Sequence, residues 1–188
     1  MRLLTMLLIA GALAAPAIAE DRLNSPYRDQ MLTEIRGLTQ KEISDLREAR
    51  GMGLARAAEL NGYPGPRHLL DAEREGQLHL SPDQVRTVTR LFDTMVSDAK
   101  RVGDLLLAEE RDVEREFRAG TITEPGLRGR LARIAALQGE PRMIHLRTHL
   151  EARAVLSRHQ MERYNELRGY TAGPVGEHGH RHSEEPVN

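Results

Sequence analysis

The stretch SPDQVRTVTRLFDTMVSDAKRVGDLLLAEERDVEREFRAG, residues 81–120, decides the fold. It opens with a helix start, because Ser81 can cap the helix, Pro82 suits its first turn and Gln84 completes a capping box. Gly120 supplies a stop. We therefore predict one helix over residues 82–119, about 57 Å long at 1.5 Å per residue. Its apolar residues recur every three or four positions, as in a coiled coil: Val85, Val88, Phe92, Met95, Ala99, Val102, Leu106, Val113 and Phe117.

A second long helix is predicted to return beside the first. Thr123 caps it, and Gly139 with Pro141 should kink it. Residues 82–119 carry seven basic and nine acidic side chains, whereas residues 124–168 carry nine basic and five acidic ones, so the charges favour an antiparallel hairpin. The predicted apolar seam of the returning helix is Leu127, Leu131, Ile134, Leu137, Ile144, Leu146, Leu150 and Val155.

Shorter helices are predicted at both ends of this hairpin. A capping box at Thr39 predicts a helix as far as Leu60, in which Ala49, Gly53 and Ala57 would form a stripe of small residues. Pro66 starts a helix that ends near Gly76, and a second box at Ser157 opens a last helix that ends at Arg168–Gly169. The predicted fold is thus an all-α, elongated, hooked hairpin of four to five helices over residues 38–170.

The remaining segments are predicted to lie outside this domain. Residues 1–19 read as a secretory signal peptide, with a basic Arg2, an apolar run and an A-x-A cleavage site that ends at Ala19. Cleavage there predicts export, which in a bacterium means the periplasm, and leaves no membrane span. Residues 20–37 lack the regular spacing of apolar residues that marks a helix or a strand, and they are expected to form a loose arm. Residues 171–188 are expected to be a disordered, histidine-rich tail.

The composition of the chain excludes several classes of function. The chain has no Cys, only 3% aromatic residues and a formal net charge of −1, so it lacks the basic excess of a nucleic-acid-binding protein. It also lacks a metalloprotease H-E-x-x-H motif, a phosphate-binding loop and a nucleophile elbow. We therefore predict a protein that is not an enzyme and requires no cofactor.

Two groups of histidines are candidate ligands for a divalent transition metal such as Zn²⁺. His145 and His149 lie one helical turn apart, so both rings can face one ion, although they also suit a polar helix face. His178, His180 and His182 alternate in the tail, and such a tract either gathers metal or binds nothing. Both pairs of alternatives stay open.

The two capping boxes also resemble each other. Leu80, Ser81 and Gln84 repeat as Leu156, Ser157 and Gln160, so that both read L-S-x-x-Q. A doubled L-[T/S]-x-x-Q motif in a small, exported, helical, cysteine-free chain resembles the Spy/CpxP family over roughly residues 77–170. That family includes periplasmic chaperones, envelope-stress adaptors and heavy-metal resistance proteins.

The resemblance implies a helical hairpin that forms a homodimer shaped as a cradle and holds unfolded or envelope proteins without ATP. Its metal-binding branch implies the alternative, a periplasmic protein that binds, senses or resists Zn, Ni, Co or Cu. The metal sensor of that branch uses a His and a Met four residues later, and the matching positions here are Thr148 and Ala152. That site therefore cannot be carried over, and the residues that would bind client proteins are not specified.

Overall fold

The computed structural model describes residues 25–170, and these residues form an all-α hairpin, as predicted. The predicted signal peptide, residues 1–19, and the predicted tail, residues 171–188, lie outside the described residues. Within the described part of the chain, no helix has the length and hydropathy needed to cross a membrane. A 3₁₀ turn at Arg28–Leu32 precedes six α-helices: α1 (Gln40–Arg47), α2 (Arg56–Glu59), α3 (Pro66–Arg74), α4 (Pro82–Ala119), α5 (Glu124–Val155) and α6 (Arg158–Leu167).

The two long helices begin and end where their caps predict. Ser81 accepts a hydrogen bond from the backbone N–H of Gln84 at the start of α4. Gly120 ends α4 in the left-handed conformation with φ of 64°, which glycine adopts without strain. Thr123 caps α5, and the helix continues through Pro141 to Val155. The hairpin is therefore specified locally at its loop and at both of its ends.

The core is a thin seam between α4 and α5, closed at one end by α3 and α6. The buried members of the α4 seam are Val88, Met95, Ala99, Val102 and Leu106, as their spacing predicts. On α5 the prediction was wrong for Leu131 and Leu150, which are 49% and 57% exposed, and on α4 it was wrong for Phe117, which is 56% exposed. These side chains fit the apolar spacing of the sequence, but in the structure they lie on the outer faces of the helices.

A short helix crosses the hairpin on the outside of α4. Helix α1 buries Ile43, which packs with Ile35 and Leu107 in a separate apolar cluster. The backbone of α1 comes so close that a Cβ added to Gly103 would lie 2.4 Å from the carbonyl oxygen of Leu46. Glycine at position 103 is therefore a requirement of this crossing.

The predicted helix from Thr39 to Leu60 is wrong in its second half. Its capping box forms, but α1 ends at Arg47, and residues 48–55 follow as turns in which Ala49 and Met52 have positive φ. Glycines at 51 and 53 weaken a helix here by about 1 kcal/mol each relative to alanine, and the turns allow the chain to pack against α5. The predicted stripe of Ala49, Gly53 and Ala57 consequently does not exist on one helix, and this break brings the number of α-helices to six.

The predicted loose arm is packed against the hairpin at its end, around Ile35. Ile35 is only 1% exposed, in the cluster with Ile43 and Leu107. Glu34 accepts hydrogen bonds from Arg47 of α1 and Arg111 of α4, at 3.1 Å and 2.6 Å. One isoleucine and one carboxylate therefore attach the end of this arm to the hairpin, whereas residues 25–29 and 31–32 are exposed.

An ion-pair cluster joins the long helices near their connecting loop. Arg130 of α5 donates hydrogen bonds to Glu109, Asp112 and Glu116 of α4, and its side chain is 18% exposed. A half-buried cluster of this kind fixes the register of the two helices more than it adds raw stability.

Candidate binding pocket and paired motifs

The two L-S-x-x-Q motifs meet at the base of the hairpin. In each motif the serine accepts a hydrogen bond from the backbone N–H of its glutamine, and the glutamine Oε1 accepts one from the serine N–H. Gln84 Nε2 donates to Gln160 Oε1 at 2.8 Å, and Gln160 Nε2 donates to Gln84 Oε1 at 2.9 Å. The two capping boxes are thus joined by a reciprocal pair of amide hydrogen bonds.

The pair also has an approximate twofold symmetry in its other contacts. Gln84 Nε2 donates to the carbonyl of Val155, and Gln160 Nε2 donates to the carbonyl of His79. Each of these carbonyls lies two residues before the serine of the opposite motif. Leu80 is buried in the adjacent apolar cluster, against which Leu156 packs. The motif residues thus hold the two helix starts together, and we call the Gln84–Gln160 pair the clasp.

A pocket of about 690 Å³ lies between the turns at residues 48–55 and the two long helices. Its walls include Phe92 and Met95 of α4, His145 and His149 of α5, and Tyr170 at the end of the described chain. The volume falls in the range of ligand-binding clefts. This is the place where the structure brings histidine side chains together with open space.

The two histidines on α5 are oriented by backbone carbonyls. His145 and His149 are only 5% and 7% exposed. His145 Nδ1 lies 2.7 Å from the carbonyl oxygen of Pro141, and His149 Nδ1 lies 2.7 Å from that of Tyr63. Because a carbonyl oxygen can only accept, Nδ1 carries a proton in each ring, and in the neutral form of the ring Nε2 therefore holds the free lone pair.

Both rings line the pocket. Within residues 25–170 neither Nε2 atom takes part in a hydrogen bond, and neither belongs to the fully enclosed polar atoms that lack a partner. A Cβ on Gly65 would lie 3.1 Å from Cε1 of His149, so glycine leaves room for that ring. An imidazole whose N–H is fixed by a carbonyl and whose other nitrogen is open has the usual outer-shell arrangement of a metal ligand.

At the far wall of the pocket, the carboxylate of Glu59 links several side chains to one another. Glu59 of α2 accepts hydrogen bonds through Oε1 from the hydroxyl groups of Tyr164 and Tyr170 and from Arg168, at 2.5, 3.3 and 3.2 Å. Its Oε2 lies 3.8 Å from His149 Nδ1. Burial, with the hydrogen bond to Glu59, raises the pKa of the Tyr164 phenol far above its usual value, so this hydroxyl stays protonated and donates.

A third imidazole, that of His68 on α3, also borders the pocket. Partial burial of the ring, and after it the nearby Arg168 guanidinium, lowers the pKa of His68. The neutral form of this ring is therefore favoured. Even so, among residues 25–170 no three His, Asp or Glu side chains lie close enough together to hold a metal ion.

The predicted site residues are thus distributed unevenly. His145 and His149 share one pocket, whereas His178, His180 and His182 lie outside the described residues. Sequence reasoning missed Glu59, because its connection to Tyr164 spans 105 positions and no local motif marks it. Tyr63, which orients His149 through its carbonyl, was missed for the same reason, since any residue type supplies that oxygen.

Comparison of the chain with protein-family models, with curated proteins and with solved structures gives no significant match in any of the three.

Proposed function

We propose that this chain is an exported binding protein without catalytic activity, a chaperone or envelope-stress adaptor that holds unfolded or partner proteins without ATP. The observation that best supports the proposal is the set of large apolar side chains that stand half exposed along the hairpin. They are Leu105, Phe117, Leu131, Met143 and Leu150, each between 47% and 60% exposed.

The surroundings of these side chains suit unfolded partners. Helix α5 and α6 carry an excess of arginine over acidic residues, and several of these arginines are exposed. An unfolded chain presents apolar and acidic segments together, and a surface that mixes apolar side chains with arginine attracts both.

The test is suppression of aggregation. The purified protein, mixed without ATP at a stoichiometric ratio with an unfolding client, is expected to reduce light scattering. The double variant Leu105→Ser with Phe117→Ser should lose much of this effect, while Ala108→Ser on an exposed position of the same helix should keep it. No suppression by the wild-type protein would disprove the proposal.

The homodimer belongs to the same proposal, and α5 offers a surface for it. Six residues on the outward side of α5 follow spacings of four and three, and all but the half-buried Leu146 are exposed. We call these residues the outer stripe: Ala132, Ala136, Gly139, Met143, Leu146 and Leu150. Over 18 residues of helix the stripe is about 27 Å long. An apolar seam of this spacing, unpaired within the hairpin, is typical of a coiled-coil contact.

The outer stripe is complementary to itself when two copies run antiparallel. With the twofold axis at residue 141, Ala132 faces Leu150 of the second copy, and Ala136 faces its Leu146. Gly139 likewise faces the second copy's Met143. Every layer of the contact then pairs one small with one large side chain, so all layers have similar volume. A closed twofold dimer needs this self-complementarity.

A second candidate function is binding of a divalent transition metal. The specific observation in its favour is that His145 and His149 both line the pocket with Nδ1 held by a backbone carbonyl, while Nε2 makes no hydrogen bond within residues 25–170. Calorimetric titration of the full chain with Zn²⁺ at neutral pH tests it. Saturable heat supports metal binding, and its absence excludes this function without affecting the chaperone proposal.

A further inference from the structure

Two methionines share the pocket with its histidines. Met52 and Met95 line it, as do His145 and His149. Met95 on α4 is only 8% exposed, and Met52, in the turns that follow α1, is 45% exposed. A thioether sulfur carries a lone pair and binds soft metal ions. The pocket therefore holds four side chains that can act as metal ligands, all of them within residues 25–170.

These side chains come from parts of the chain that meet around His145. A Cβ added to Gly51, the residue before Met52, would lie 4.0 Å from Nε2 of His145. Met95 packs in one apolar cluster with Ile144, the residue before His145. The methionine side chain has three rotatable bonds, so its sulfur can adjust to a ligand without movement of the backbone. The turns, α4 and α5 thus bring sulfur and nitrogen ligands to the same region of the pocket.

The chemistry of this ligand set favours one class of ion. Thioethers and imidazoles suit Cu⁺, whereas Zn²⁺ takes thiolates, imidazoles and carboxylates. Among residues 25–170 no three His, Cys, Asp or Glu side chains could hold an ion together, and the two methionines add only uncharged ligands. Three arginines also line the pocket and oppose positive charge: Arg50, Arg56 and Arg67. Because the cost of desolvating an ion grows with the square of its charge, a monovalent ion loses roughly a quarter of what a divalent ion of equal size loses.

The backbone at Met52 is strained. Its φ is 45°, a left-handed conformation that glycine adopts readily and methionine rarely. Glycine stands on either side of it, so a third glycine would fit this turn with less strain. Strained residues of this kind cluster at binding sites, where the side chain has a task. Binding of a metal ion by the sulfur is such a task.

We propose that Met52, Met95, His145 and His149 together bind one Cu⁺ ion in the pocket. Each imidazole binds through Nε2, because its Nδ1 donates to a backbone carbonyl. Each methionine binds through its sulfur, and the ion joins the turns after α1 to both long helices. The inference goes beyond the second proposed function, because the ion is monovalent and half of its ligands are thioethers.

The experiment is a competition titration without oxygen, in which the full-length protein withdraws Cu⁺ from its coloured complex with bicinchoninate. The thioether variant combines Met52→Leu with Met95→Leu, and the imidazole variant combines His145→Asn with His149→Asn. Leucine has nearly the volume of methionine, and asparagine keeps an N–H for the backbone carbonyl, so both variants preserve the packing of the pocket. Met143→Leu, on the exposed side of α5, is the matched control. Circular dichroism verifies the helical fold of every protein.

The wild type should withdraw one Cu⁺ ion per chain. Each double variant should weaken this binding by on the order of 100-fold, because two of the four ligands are lost, while the control should stay within about twofold of the wild type. Equal Cu⁺ affinity in the wild type and the thioether variant would overturn the proposal, as would a wild type that withdraws no Cu⁺. If a double variant loses its helical signal, Met52→Leu alone or His149→Asn alone replaces it under the same criteria.

A parallel calorimetric titration with Zn²⁺ separates this proposal from the second proposed function. Zn²⁺ makes no use of thioethers, so the thioether variant should bind it as the wild type does. Cu⁺ binding by a wild type that gives no heat with Zn²⁺ would support this proposal and exclude the divalent function. If the thioether variant lost Zn²⁺ and Cu⁺ binding alike, the substitutions would have damaged the pocket itself, and the proposal would be wrong.

Discussion

Exchanging the residues of one layer of the outer stripe tests the antiparallel dimer directly. The layer consists of Ala132 from one copy and Leu150 from the other, and both side chains are exposed in the single chain. Leu150→Ala leaves two alanines facing each other, whereas Ala132→Leu places two leucines in the space of one. The double variant restores a leucine opposite an alanine and is expected to restore the dimer.

The magnitude follows from the exposure of Leu150. Full burial of a leucine contributes about 1.5–3 kcal/mol, and 57% of this side chain is accessible before association. Burial in the dimer is therefore worth about 1–1.5 kcal/mol per copy, and about 2–3 kcal/mol over the two symmetric layers. Leu150→Ala should raise the dissociation constant by about 30- to 150-fold. Ala132→Leu should cost a similar amount through overpacking.

The assay is sedimentation velocity over a dilution series of each protein. The dissociation constant of the double variant should lie within about threefold of the wild-type value, a difference of less than 1 kcal/mol. A parallel pairing would set Ala132 against Ala132 and Leu150 against Leu150, so the two single effects would add in the double variant without compensating each other. That result, or a wild type that stays monomeric at every concentration, would refute the register.

Three further outcomes are expected. Gln84→Ala removes both the capping contact and the amide pair of the clasp. It should lower the free energy of unfolding, measured by urea denaturation, by about 2–3 kcal/mol. The control Gln138→Ala, on the exposed side of α5, should change this free energy by less than about 0.5 kcal/mol. Gly103→Ala should destabilise the fold by about 1–3 kcal/mol or more, because its Cβ would lie 2.4 Å from the Leu46 carbonyl oxygen. This loss should appear as a lower melting temperature by circular dichroism. An unchanged melting temperature would mean that α1 does not cross α4 at this point. Zn²⁺ affinity should fall by more than tenfold between pH 7.5 and 5.5, since protons and the metal compete for the same imidazole nitrogens, and a pH-independent affinity would exclude histidine ligands.

Local signals in the sequence predicted most helix ends correctly. The boxes at Thr39, Ser81 and Ser157 all form, and Gly120 ends α4 as predicted, since each of these choices depends on residues within one turn. The exception was the segment after Arg47. Its apolar spacing continues the pattern of a helix, but the glycines and the packing against α5 determine its actual path.

Contacts between distant residues were not predictable in this way. Gln84 and Gln160 lie 76 positions apart, and a repeated motif shows that two helices start alike without showing that the starts touch. The pocket depends on the same kind of contact, because the carbonyl that orients His149 comes from Tyr63, 86 positions earlier. The histidine pair itself was visible as two residues one turn apart, but its burial and the open Nε2 atoms required the structure.

The clasp between Gln84 and Gln160 contains no group that ionises. Its bonds join amides, serine hydroxyls and backbone atoms, so neither acidity nor ionic strength alters their strength directly. The opposite end of the hairpin relies on Arg130 among three carboxylates, whose attraction weakens when salt is added or when the carboxylates are protonated. Changes in pH or salt should therefore leave the contact between the two helices at the clasp unchanged. The same changes should weaken the contact between the helices at the Arg130 end of the hairpin.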